Sequence, residues 1–271
     1  MKDKLIESYR MLKTYNGTLF VYAFSYALII GIAPFLIIAV LIASNFVLDM
    51  QTMIEFLGYY IPTDLIIPFV NYVVEIAPSD IILLTSLASV SFWVASRSVY
   101  SFLLESSRID KFKIPSFILR VVSVLYFAFI IVGAFVVFVL VSYLPPYNYI
   151  TIPLLLWFMM MVFYRLISFR FSQFSDVYMG ASIATAGLIG LGRLFFTYVN
   201  NYSNYQSIYG PLASLMIMLI SVYFISYIIY FGFCINVVLF DDSDRDLNLE
   251  NKLIFKISQF NVRNFINKFR S

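Results

Sequence analysis

Two arginines within long apolar stretches are the side chains of this sequence best suited to bind an anion. Arg193 lies in IATAGLIGLGRLFFTYVNN, five or more residues from the nearest polar end, and Arg97 lies in FWVASRSVYSFLLE. A charge within a membrane span is costly, and a guanidinium needs carboxylate, phosphate or carbonyl partners. The pattern favours a cavity-facing Arg193 that binds an anionic substrate. For Arg97, two readings are open: it binds substrate, or it snorkels at the cytoplasmic end and pairs with Glu105 or a carbonyl.

A polar loop follows the stretch that contains Arg193. Its sequence, NNYSNYQSIYGPLAS, crowds amides and tyrosines before Gly210, which with Pro211 begins the next helix. Tyrosines are common in the aromatic belt at a membrane surface, but amides are not needed for anchoring. The loop is interpreted as a lid or substrate-binding surface, with plain anchoring as the alternative; its candidate residues are Asn204, Tyr205, Gln206 and Tyr209.

Several residues are assigned to helix geometry. Gly187, Gly190 and Gly192 precede Arg193, and we expect them to let a neighbouring helix approach closely, although they could also open the backbone near a ligand. Pro34 removes a backbone hydrogen bond and predicts a kink in the first span. Asn236, near the end of the last span, is predicted to link two helices by a hydrogen bond.

The composition excludes several kinds of chemistry. The chain has no histidine, and Cys234 is its one cysteine. Disulfide frameworks, zinc sites built from Cys and His, and acid–base catalysis by histidine are therefore excluded. No pair of carboxylates stands at catalytic spacing within a span. We expect no catalytic residue, metal site, cofactor, enzymatic activity or nucleic-acid partner.

The elements that must position these residues are membrane helices. Hydrophobic residues make up 62% of the chain and charged residues 12%, against roughly 45–50% and 25% in soluble domains. Stretches of about 20 apolar residues are long enough to cross a bilayer. The sequence predicts an all-α bundle of about six transmembrane helices, near 18–44, 81–104, 116–143, 150–169, 177–200 and 210–240.

Basic residues predict the orientation of these spans, because short cytoplasmic loops retain Lys and Arg. The alternate loops 45–80, 144–149 and 201–209 contain no Lys or Arg. Both ends are therefore predicted to be cytoplasmic. The basic residues on the other side are Lys2, Lys4, Arg10, Lys13, Arg108, Lys111, Lys113, Arg120, Arg165, Arg170 and six in the tail.

Three regions follow from this pattern. Residues 1–17 form a cytoplasmic N-terminal segment, and residues 18–240 form the membrane domain. Within that domain, residues 45–80 are expected to be two short helices on the outer interface, broken near Pro62. Residues 241–271 are expected to form a basic amphipathic tail on the anionic inner leaflet.

These segments resemble the YihY/BrkB family of bacterial inner-membrane proteins over nearly the whole chain. The sixth span of the family usually ends in G-A-E-x-N; Gly232 and Asn236 fit, but Cys234 stands in place of the Glu. The loop signature Y-x-x-I-Y-G-x-L-A is met by Tyr205, Ile208, Tyr209, Gly210, Leu212 and Ala213. The first-span pattern is met in outline by Ser25, Tyr26, Ile30, Gly31, Ile32, Pro34 and Phe35.

The resemblance implies a six-span protein of the bacterial cytoplasmic membrane, with proposals centred on transport or flipping of envelope lipids. An old ribonuclease label also attaches to the family, but the sequence lacks the carboxylate or histidine cluster that metal-dependent RNA cleavage needs. The leading hypothesis is a transporter or lipid translocase that handles an anionic envelope substrate in a polar cavity. The alternative is a non-transporting scaffold or envelope-assembly partner, and a membrane hydrolase is disfavoured. The oligomeric state is left open.

Overall fold

A computed structural model gives the fold of this chain. It describes residues 2–45, 54, 67, 71, 81–109, 114–143, 148–169, 171, 173–202 and 213–241. Within these residues the secondary structure is helical, as predicted. The helices are α1 (Lys2–Leu12), α2 (Tyr15–Asn45), α3 (Ile81–Ala95), α4 (Arg97–Ile109), α5 (Ser116–Tyr143), α6 (Asn148–Ile167), α7 (Tyr178–Tyr202) and α8 (Ala213–Asp241), with a 3₁₀ turn at Phe174–Asp176.

Three of these helices are long and apolar enough to cross a membrane. They are α5, α6 and α8, and their apolar spans run over Ser116–Val137, Ile150–Ile167 and Leu215–Phe240. Helices α2 and α7 cover the first and fifth predicted spans. The chain is thus a helical membrane protein, while the six-span count and the orientation of the ends stay predictions.

The second predicted span, 81–104, is two helices instead of one. The break falls at Ser96, whose hydroxyl donates to the Trp93 carbonyl at 2.8 Å, and Ser98 donates likewise to Ala95 at 2.8 Å. Serine hydroxyls that bond back to the preceding turn compete with the backbone and bend helices. The polar stretch that begins at the break therefore reads as a helix of its own, α4, with one face buried.

Two predicted surface segments lie largely outside the described residues. The outer segment 45–80 is described only at Asn45, Ile54, Ile67 and Asn71, and the tail after Asp241 is not described. The predicted interfacial helices therefore stay predictions.

The long helices close into a ring. Helix α2 packs against α3 and α4, α4 packs against α5, and each helix from α5 onward packs against the next, until α8 packs against α2. Helix α1 lies along α8. Every long helix thus has neighbours on two sides and retains an outward face for lipid.

An aromatic cluster fills the centre of this ring. Phe102 of α4 is fully buried, and four phenylalanine rings meet it edge-on. Such edge-to-face pairs stabilise a core beyond the area that they bury. The ring centroids lie 4.5 Å away for Phe20, 4.7 Å for Phe24, 5.4 Å for Phe163 and 5.8 Å for Phe233.

Helices α7 and α8 cross with their backbones in contact. A Cβ atom on Gly180 would collide with the Gly232 carbonyl, and one on Gly232 would collide with the Tyr164 hydroxyl. Glycine is needed at both positions because only a residue without a side chain admits so close an approach. This crossing sets the orientation of α7 against the core, so that the face that carries Arg193 is turned outward.

Candidate functional site

Arg193 lies on the outward face of α7. It is the sixteenth residue of the helix, about 22 Å along the axis from Tyr178 at 1.5 Å per residue. Its side chain is exposed, as are those of Leu191 and Leu194, which are 48% and 68% exposed. Within the described residues it makes no hydrogen bond or ion pair. Arg193 is therefore not enclosed by the described helices.

The glycines before Arg193 differ in their surroundings. A Cβ atom on Gly187 would lie 3.0 Å from Cγ2 of Ile228, so this residue faces α8. A Cβ atom on Gly190 or Gly192 would meet nothing within 4 Å. Close helix contact thus accounts for one of the three glycines, and the other two lie against open space.

The other predicted hinge and loop residues fall partly outside the described chain. Pro34 lies within α2, which continues through it to Asn45. Residues 203–212 are not described. The lid or binding role of this segment therefore stays a prediction; it includes Asn204, Tyr205, Gln206, Tyr209 and Gly210.

Arg97 begins α4, directly after the break at Ser96. Its side chain is exposed, and in the described part of the chain it forms no ion pair with Glu105 or any other residue. Glu105 instead lies 3.8 Å from Arg108, as measured from Oε2 to Nη1. Arg97 and Glu105 thus form no pair in the described structure, and substrate binding and snorkelling both stay predictions.

Arg120 belongs to this neighbourhood, although from the sequence it was assigned only to the basic residues of a cytoplasmic loop. It lies in the second turn of α5, and its guanidinium carbon stands 4.3 Å from the centroid of the Trp93 ring. Its Nη2 donates to the Trp93 carbonyl. Its position inside the third predicted span was the signal that could have identified it, because an arginine there needs partners.

A buried carboxylate lies at the inner side of α4. Glu105 is 8% exposed, and its Oε1 accepts a hydrogen bond of 3.4 Å from the Tyr230 hydroxyl on α8. Burial raises the pKa of Glu105 above its ordinary value, while Arg108 and the Tyr230 hydroxyl oppose that shift. Cys234, also buried, is one turn further along α8 beside Tyr230. A carboxylate thus lies close to Cys234, but it comes from α4.

Asn236 links two helices, as its position predicted. Its Oδ1 accepts a hydrogen bond of 2.7 Å from the backbone N–H of Gly180. That N–H belongs to the first turn of α7, where no carbonyl within the helix can accept it. Asn236 therefore caps α7 from the neighbouring helix.

The arginines described above are suited to bind an anion, and Asn236 links two helices. Among the described residues, no group of three His, Cys, Asp or Glu side chains could hold a metal ion. One pocket between described residues has a volume of about 30 Å³, which is too small for a lipid headgroup, and it contains neither Arg97 nor Arg193. It is lined by Lys4, Leu5, Ser8, Met179, Ile183, Ile235 and Leu239.

Long apolar helices packed in a ring, with arginines exposed on its outer side, are the architecture of a helical membrane protein. The family model described as Virulence factor BrkB matches residues 8–252. The chain therefore belongs to the BrkB family, which confirms the resemblance drawn from its sequence. Searches of curated proteins and of solved structures found no match.

Proposed function

We propose that this BrkB-family protein moves an anionic lipid of the bacterial envelope across the cytoplasmic membrane, and that Arg193 contacts the headgroup. The proposal places six spans in the membrane with both ends in the cytoplasm. It assigns the protein no covalent chemistry: the protein acts on membrane lipids as a translocase and not as an enzyme.

Arg193 is exposed and has no partner among the described residues, and this observation carries the proposal. A guanidinium at membrane depth needs an anionic or carbonyl partner. Arg193 is flanked by exposed leucines, so a lipid could supply a phosphate to the guanidinium while its chains lie against the helix. This arrangement favours a path along the lipid-facing surface of α7 over the enclosed cavity expected from the sequence.

Transport assays in liposomes test the proposal. The full chain is reconstituted with fluorescent anionic phospholipids, and leaflet accessibility is followed over time. We expect accelerated exchange that Arg193→Ala reduces at least about tenfold, as loss of a charge-assisted contact implies. Arg165→Ala is the matched control: Arg165 is also exposed, 4.3 Å from the centroid of the Phe174 ring, and its loss should leave exchange unchanged.

Two results would contradict the proposal. Equal rates of lipid exchange with the intact protein and with Arg193→Ala would show that Arg193 does not contact the headgroup. If the intact protein accelerates the exchange of none of several anionic lipids, the protein is not a translocase.

A scaffold for envelope assembly is the second candidate. The aromatic core and the backbone contact between α7 and α8 favour it, because they form a closely packed body. A scaffold predicts no lipid exchange and retention of Arg193→Ala in the same assemblies as the intact protein.

A further inference from the structure

Two positive charges meet at the break between α3 and α4. Arg120 reaches from α5 over the Trp93 ring and donates from Nη2 to the carbonyl that the break leaves accessible. Arg97 follows the break directly, four residues after Trp93, and its positive charge opposes that of Arg120. Like charges at short distance destabilise a fold unless an anion lies between them.

The described residues do not supply that anion. Glu105 is eight residues beyond Arg97, about 12 Å along the helix axis, and is paired with Arg108. Arg97 forms no ion pair in the described structure. Counting the described residues alone, the net charge around Arg97 and Arg120 is therefore positive.

One nitrogen of Arg120 is also left without a partner. Its Nη1 is buried and, within the described chain, makes no hydrogen bond. A buried donor of a charged group without an acceptor is costly, and such groups call for a ligand or a functional explanation. An oxyanion beside the two guanidinium groups would offset their repulsion.

We infer that Arg97 and Arg120, placed by Trp93 and the break at Ser96, form a binding site for a phosphate group. Guanidinium groups match phosphate oxygens in geometry and charge. The phosphate could belong to a phospholipid headgroup or to a soluble ion. Exposed apolar side chains around it, Trp93, Phe117 and Val121, would accept lipid chains. Binding there requires neither Arg193 nor transport, whereas any part in translocation rests on the proposed function.

Fluorescence of Trp93 tests the site. The chain has two tryptophans, so Trp157→Phe leaves Trp93 as the single reporter beneath Arg120. The full chain in detergent is titrated with dioctanoyl phosphatidylglycerol, with inorganic phosphate and with dioctanoylglycerol, which lacks the phosphate. We expect a saturable change in Trp93 emission, with the apparent Kd raised at least about tenfold by Arg97→Gln. Arg165→Gln is the matched control and should leave the Kd unchanged.

The titrations distinguish the sources of phosphate. A response to phosphatidylglycerol alone identifies a lipid headgroup, and a response to inorganic phosphate as well identifies the free ion as sufficient. An equal response to dioctanoylglycerol, or a Kd unaltered by Arg97→Gln, would overturn the inference. Arg97 is exposed, so this variant should fold; Arg120→Gln, checked by size exclusion, adds a second test. Phosphate binding without lipid exchange would refute the proposed function and leave this site intact.

Discussion

The two halves of α7 carry the same small residues in opposite surroundings. In the first half, Gly180 touches the backbone of α8, and Ala181 and Ala184 are fully buried. In the second half, a Cβ atom on Gly190 would meet nothing within 4 Å, and Arg193 is exposed. One helix therefore joins a packed crossing to a surface that faces lipid.

This difference shows what small residues and polar groups require in a membrane helix. At the crossing, the N–H of Gly180 has a partner in Asn236, and glycine is fixed by the approach of a backbone. On the outward half, the described residues give Arg193 no partner. The crossing serves stability, while the outward half is free to serve binding.

Exchanging glycine for alanine in each half gives the largest expected contrast. Gly180→Ala would force Cβ against the Gly232 carbonyl, and we expect it to cost about 3 kcal/mol, as overpacking against a rigid backbone does. Gly190→Ala has room and should be neutral or stabilise by up to about 1 kcal/mol, because alanine favours a helix. Thermal unfolding in detergent, followed by size exclusion, measures both. Similar changes in the two variants would abolish the distinction between the halves.

Removing the cap on α7 is the next largest effect. Asn236→Ala leaves the buried N–H of Gly180 without its acceptor, and we expect a loss of about 2 kcal/mol. Thr197→Ala, an exposed position on the outward half, should change stability by less than about 0.5 kcal/mol. The same unfolding measurement compares them. If Asn236→Ala unfolds at the temperature of the intact protein, the cap contributes nothing and the crossing depends on the glycines alone.

The helical class and the positions of most helices could be predicted from the sequence, because apolar runs of membrane length leave few alternatives. The position of Asn236 near the end of the last span likewise predicted a link between helices. The break at Ser96 could not be predicted, since both sides favour helix and the break depends on serine hydroxyls bonding back to the preceding turn.

Contacts between distant helices were beyond the sequence. Glu105 and Tyr230 are 125 residues apart and meet only because α4 and α8 both direct side chains into the centre of the ring. Arg120 was assigned to a loop by its charge, yet its long side chain reaches Trp93 on another helix. Composition shows that such groups need partners, whereas the order of helices in the bundle determines which partners they meet.

The smallest expected effect concerns Glu105, the charge on the packed side of the comparison. Because its pKa is raised in the folded chain, the folded state retains a proton that the unfolded state releases. The free energy of unfolding should therefore fall as pH rises from the ordinary glutamate pKa of about 4.3 through the raised value. Glu105→Gln has no such proton to lose and still offers an oxygen to Tyr230.

We expect Glu105→Gln to match the intact protein at pH 4.5 and to exceed it at pH 8 by on the order of 1 kcal/mol. Unfolding temperatures across this range, compared with those of Asp176→Asn at the partly exposed 3₁₀ turn, isolate the contribution of Glu105. Parallel curves for Glu105→Gln and the intact protein would mean that burial does not disfavour the charge. The packed core around Glu105 would then tolerate an ionised group as readily as the outward half of α7 does. Burial alone would no longer distinguish the two regions.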